Sequence, residues 1–134
     1  MEIVETTLPG TVNSPHVARV FLGHALRRWH LDGLSDVTGL LGTELVANVV
    51  THVGGPMTLR AVLDGSRVRV EIDDPSPIRP VVRHPGVSEE HGRGMLLVDQ
   101  LADVWGVDWR PDGKTVWFEF EAARRAEVVG QGVS

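Results

Sequence analysis

The hydrophobic period of this chain changes at Gly54-Gly55-Pro56, and that change restricts the folds open to it. Before it, Val17, Val20, Phe21, Ala25 and Leu26 recur at helical spacing up to about Trp29, and the pattern is helical again from Val37 to Val53. After it the period is two. Met57, Leu59, Ala61 and Leu63 alternate with Thr58, Arg60 and Val62, then Val68, Val70 and Ile72 alternate with Arg67, Arg69 and Glu71. Asp64-Gly65 between the two runs is a hairpin signal. Asn13-Ser14-Pro15 opens the first helix, with Ser14 as cap and Pro15 in the first turn. Asp32-Gly33 ends it, and Ser35 and Asp36 offer a cap for the second. Residues 2–8 read as a strand stopped by Pro9-Gly10. A short helix is predicted from Met95 to about Leu101, then two strands near 104–110 and 114–121 joined by Pro111-Asp112-Gly113. The order β-α-α-β-β-loop-α-β-β segregates helices from strands. It predicts an α+β two-layer sandwich, with helices on one face of a mixed, mostly antiparallel sheet. The domain spans 1–121, and 122–134 is read as a flexible tail.

With 134 residues, 42% of them hydrophobic, the chain has the size and core of one domain. It has no cysteine, which excludes disulfides, thiolate metal sites and cysteine nucleophiles. A net charge of −5 argues against direct binding to nucleic acid. No apolar run approaches the ~20 residues of a membrane span. The acidic start, Met1-Glu2-Ile3-Val4-Glu5, does not read as a signal peptide, so a cytoplasmic protein is expected. Arg outnumbers Lys 12 to 1, and Val outnumbers Ile 22 to 3, a skew of high-GC, actinobacterium-like genomes.

Three segments carry chemistry. Glu44, Asn48 and His52 fall at roughly 0°, 40° and 80° around the second helix, one stripe beside the apolar sector of Leu45, Val46, Val49 and Val53. Polar groups there need a partner, and Mg²⁺ with phosphates is a suitable one. Asn48 would supply a carbonyl oxygen and Glu44 would act on a water or hydroxyl. A solvated polar face accounts for the same stripe, and His52 can simply answer the helix dipole. Second, Asp73-Asp74-Pro75-Ser76-Pro77 ends the Val68–Ile72 strand. A carboxylate there can accept from the exocyclic amine of adenine and disfavour the guanine carbonyl, though Asp-Pro and Ser-Pro are also turn chemistry. Third, His91-Gly92-Arg93-Gly94-Met95 precedes the short helix after a stretch that holds Pro75, Pro77, Pro80 and Pro85, half of the chain's 8 prolines. Glycines at a helix start admit phosphate, and Arg93 adds charge; a hinge would look the same.

The order of the three is more specific than any one. Glu-x3-Asn-x3-His on a helix, a strand-end Asp, then Gly-x-Gly after a long loop resembles the GHKL ATPases, the ATP-binding domains of histidine kinases, gyrase and MutL. Glu44 to His52 looks like their N box, Asp74 like the adenine-reading Asp, and residues 75–94 like the ATP lid. The resemblance implies nucleotide contacts at Asn48, His52, Asp74, Ser76, Ile78, Gly92, Arg93, Gly94 and Met95. It also implies that Thr115, in Gly113-Lys114-Thr115, helps Asp74 hold adenine. Within the superfamily the chain looks most like stand-alone anti-sigma-factor serine kinases and short actinobacterial ATP-binding regulators. The narrower match rests on Val17–Trp29, Leu45-Val46-Ala47-Asn48-Val49-Val50-Thr51-His52 and Gly92-Arg93-Gly94-Met95-Leu96-Leu97-Val98. What this implies is ATP or ADP with Mg²⁺ held by Asn48, Glu44 as the base that deprotonates a serine, a sigma factor and an anti-sigma-factor antagonist as partners, and a homodimer. The alternative is a nucleotide-responsive interaction module without transfer. One departure stands out. The first lid box normally reads Asp-x-Gly-x-Gly, and here Asp74-Pro75-Ser76-Pro77-Ile78 has neither glycine, so the turn beneath adenine must be made differently.

Overall fold

A computed structural model describes residues 1–76 and 90–122. Strand β1 (Glu2–Leu8) leads into α1 (Ser14–Arg28). Ser14 does not cap α1: its Oγ accepts the Gly10 and Thr11 amides, both at 3.1 Å, and so holds the turn that precedes the helix. The buried stripe of α1 is Ala18, Leu22, Ala25 and Leu26, while Val17 and Val20 are 40% and 46% exposed. Helical spacing alone does not say which of two adjacent apolar stripes faces inward. The helix ends at Arg28, beside the expected end near Trp29, and it closes before Asp32-Gly33 is reached. His30 adopts φ 59°, and the amides of Leu31 and His30 reach back to the carbonyls of Leu26 and Arg27 at 2.8 and 3.0 Å. This is the paired closure that usually uses glycine at the left-handed position. A single 3₁₀ turn (Asp32–Leu34) then starts α2 (Ser35–His52), whose first turn has no side-chain cap bond.

Strands β2 (Met57–Asp64) and β3 (Arg67–Asp74) form the expected hairpin around Gly65, at φ 61°. Helix α3 (Glu90–Leu101) precedes β4 (Val104–Arg110) and β5 (Gly113–Glu121). The sheet order is β1-β2-β3-β5-β4, and every pairing is antiparallel; the parallel component expected of a mixed sheet is not present among the described residues. Because alternate side chains point to opposite faces, each strand has an inner and an outer row. The inner row includes Met57, Leu59, Ala61, Val68, Val70, Ile72, Val116, Phe118 and Phe120, all buried under the helices. Phe118 and Phe120 meet edge to face with centroids 5.6 Å apart. Ala122, expected in the tail, belongs to this core, and its amide donates to the Ser66 carbonyl at 2.6 Å. The remaining tail residues lie outside the described residues.

The outer row is a ladder of charges. Arg60 pairs with Glu5, Glu71 and Asp73 at 3.1, 2.6 and 2.8 Å, and Arg69 pairs with Glu71 and Glu119 at 2.6 and 2.9 Å. The Arg69 guanidinium lies 3.9 Å from the Trp117 ring centroid. Helix α2 packs on α1, on β3 and on α3, and so joins the elements that carry all three sequence motifs.

Candidate functional site

On α2, Leu45, Val46 and Val49 point into the core, and Glu44 and Asn48 stand at its margin, half-buried. Neither the Glu44 nor the Asn48 side chain forms a hydrogen bond or ion pair with the described residues. Polar groups that lose part of their water without gaining a protein partner are suited to a ligand that arrives with its own donors, acceptors or cation. His52, a turn further on, is exposed. Among the described residues there is no cluster of three or more His, Asp or Glu able to hold a metal by itself. Of the residues present, Asn48 would offer Mg²⁺ a carbonyl oxygen, and phosphate oxygens and water would have to supply the other ligands.

At the end of β3 the chain places two adjacent carboxylates on opposite faces of the sheet. Asp74 is on the inner side and only 3% exposed. Its Oδ1 accepts the Ser76 amide at 2.7 Å and the Lys114 ammonium at 3.0 Å. Lys114 also donates to the Ser76 carbonyl at 3.0 Å. The Asp74–Ser76 bond spans two residues and is an Asx turn. It supplies a bend at Ser76, where the first of the two missing glycines would stand; the second position, Ile78, lies outside the described residues. Gly113 completes the corner: a Cβ there would lie 2.1 Å from the Asp74 carbonyl oxygen, so only glycine lets the two backbones meet.

Thr115 is not beside Asp74. The register pairs Asp73 with Thr115 and Asp74 with Lys114, so Thr115 shares the outer face with Asp73 and donates to its Oδ1 at 2.6 Å. The residue facing Asp74 across the strands is Lys114. The sequence carried two signals for it: Lys114 is the chain's only lysine, and it alternates with the inner-row Val116 and Phe118. For Asp73, burial alone would raise the carboxyl, but bonds from Arg60 and Thr115 and the charges of Arg60 and Arg110 hold it below the ordinary carboxylate value.

The glycine box is placed differently from expectation. Helix α3 begins at Glu90, so Gly92, Arg93 and Gly94 lie within its first turns rather than ahead of it. Met95 is 2% exposed in the hydrophobic core, which gives it a packing role. Ser76 is buried against the Asp74–Lys114 pair, and Ile78, with the lid from 77 to 89, lies outside the described residues.

Residues 8–120 match the model of the Histidine kinase-like ATPase domain. The chain belongs to that family. It is a GHKL-type ATP-binding domain, in a family that includes both kinases and non-catalytic ATPases. An uncharacterized protein of Streptomyces coelicolor is 40% identical over 79 residues, covering 55% of this chain and 75% of that protein. The histidine kinase domain of the blue-light activated histidine kinase from Erythrobacter litoralis EL346 superposes with a TM-score of 0.55 at 20% identity, over 74% of this chain. The match spans about half (49%) of that longer chain, and at this identity it speaks for the two-layer fold alone. No helix among the described residues is long and apolar enough to cross a membrane.

Proposed function

We propose that this domain is a protein serine/threonine kinase that doubles as an anti-sigma factor, phosphorylating an anti-sigma-factor antagonist with Mg·ATP. The observation that carries the reading is the pair Glu44 and Asn48, one helical turn apart, half-buried and without partners among the described residues. Asn48 would hold Mg²⁺, which when bound neutralises phosphate charge. Glu44 would accept the proton of an incoming serine hydroxyl. Packing of α2 on both β3 and α3 supports the reading, because those two elements carry the other two motifs. A homodimer, a sigma factor and its antagonist as partners, and a cytoplasmic location belong to the same proposal.

A second reading has its own support. The Asp74 carboxylate is already paired with Lys114, and the first lid turn is held by an Asx bond and proline rather than by glycines. Such a corner suits a module whose nucleotide occupancy sets partner affinity without transfer. Incubation with labelled Mg·ATP and candidate antagonist proteins from the same genome separates the two. Label on a partner serine supports the kinase, whereas a nucleotide-dependent complex without label supports the module. No nucleotide binding would exclude both.

A further inference from the structure

We infer that the outer face of α1 is a docking surface for a partner protein, and that it takes an amphipathic helix with acidic flanks. From Thr6 to Leu31 the chain has no Asp or Glu, although its net charge is −5. Arg19, Arg27 and Arg28 are exposed on α1 and make no ion pair with the described residues. The arginines of the sheet differ: Arg60, Arg67, Arg69 and Arg110 each lie against a carboxylate. The helix dipole accounts for Arg27 and Arg28 in the last turn. It does not account for Arg19 in mid-helix, nor for a first turn without an acidic residue. Among these cations Val17 and Val20 are exposed.

His16, Val20, Gly23 and Arg27 form one seam, at the alternating spacings of four and three that a second helix follows when it packs lengthwise. Arg19 and Arg28 lie on opposite sides of that seam, where the flanking acids of a docked helix would meet them. Gly23, in the middle of the seam, has no reason internal to the fold. A Cβ there would meet nothing within 4 Å, and its φ is not in the left-handed region. Gly39 and Gly42 of α2 are different, because a Cβ at either would press on Arg19 or Leu22 of α1. A glycine inside a helix weakens it relative to alanine. The notch at Gly23 therefore has its use outside the chain: it lets another backbone come close. A second copy does not fit, since antiparallel packing of α1 on itself about Gly23 would set the arginines of one copy against those of the other. A bilayer does not fit either, since the exposed face offers valines but no exposed Leu, Phe or Trp. In a chain of net negative charge, one basic face also fixes where and how an acidic helix lands.

Titration of the isotope-labelled full chain, followed by NMR, tests the inference. The probe is a helical peptide of about 20 residues with Leu in a three-four repeat and Glu on both flanks, and its control is a twin with Gln in place of Glu. The expected result is a dissociation constant of about 100 µM or tighter for the Glu peptide at low salt, with shifts centred on the α1 amides. The Gln twin should bind about tenfold more weakly or worse. Gly23→Ala should raise the urea midpoint, because alanine is the better helix former, and still weaken the Glu peptide by about tenfold or more. Arg28→Glu, at an exposed position, should weaken it by as much and decides the matter if Gly23→Ala does not fold. Equal binding of the two peptides, equal binding by wild type and variant, shifts centred elsewhere, or no binding up to about 1 mM overturns the inference. So does tighter binding to anionic lipid vesicles than to the Glu peptide, or a self-association that Val20→Glu abolishes, which would give the face to a membrane or to a second copy. No arm of the experiment uses nucleotide, so its failure leaves the nucleotide-binding reading where it stands.

Discussion

Glu44 and Asn48 sit one turn apart in similar surroundings, yet they are assigned different work, and substitution separates the two. Glu44→Gln keeps shape and removes the proton acceptor. Transfer to a partner serine should fall by about 10²–10⁴ while nucleotide affinity changes little. Asn48→Ala should weaken Mg²⁺-dependent nucleotide binding first, with transfer lost as a consequence. A solvated polar stripe predicts neither split, and both variants would then stay within about 0.5 kcal/mol of wild type in stability and binding. Thr115 gives a sharper test of the geometry. Since its hydroxyl serves Asp73 on the outer face, Thr115→Val should leave ADP affinity unchanged and cost about 1 kcal/mol in urea unfolding. A large loss of ADP affinity in that variant would place Thr115 in the base site after all.

At the scale of elements, what was legible in the sequence is what periodicity encodes. The alternation Met57–Leu63 and Val68–Ile72 located β2, β3 and their hairpin because a half-buried strand must repeat every two residues. The stripe carrying Glu44 and Asn48 was legible for the same reason at helical period. What was not legible depends on pairing between distant segments. Thr115 and Lys114 differ by one position, and one position on a strand is the whole difference between two faces. The register that decides between them is set by β3, forty residues away in sequence at Asp74 and Lys114. The start of α3 at Glu90 was hidden because Gly92 and Gly94 are poor helix formers, so local propensity argued for a break that the tertiary structure overrides. Gly113 shows the same limit: it reads as a turn residue, and its further constraint is the Asp74–Pro75 backbone lying against it. Gly113→Ala should therefore destabilise the fold by about 1–3 kcal/mol and, if the Asp74 corner reads the base as the resemblance implies, weaken ADP binding together, because the strain falls on the Asp74–Pro75 backbone. Thermal unfolding and titration of the same variant check the coupling; lost stability with intact affinity would detach Gly113 from the site.

For the whole molecule, the sheet divides labour between its faces, and Asp73 and Asp74 mark the division. Asp74 turns inward to Lys114, while Asp73 turns outward into the charge ladder that ties β1, β2, β3 and β5 together, with no second layer of helices among the described residues. That ladder should set the response to acid. Burial pushes the carboxyls of Asp73 and Glu119 up, but Arg60 and Thr115 on one, and Arg67 and Arg69 on the other, hold both below their ordinary values. A carboxyl depressed on folding contributes its full stability above the unfolded-state value, near ~4, and loses it as the pH falls through the folded value. Between those two points the unfolded chain takes up the proton first. Arg60→Met removes the guanidinium that pairs with Glu5, Glu71 and Asp73, so the variant should be less stable than wild type at pH 7. The gap should narrow as the pH drops below about 4, because the wild type is then losing what the variant no longer has. Urea unfolding of both proteins at pH 7 and pH 3 measures it. A stability difference that stays constant between the two pH values would show that Arg60 acts through packing of its aliphatic stem, and that the outer ladder is not what fails in acid.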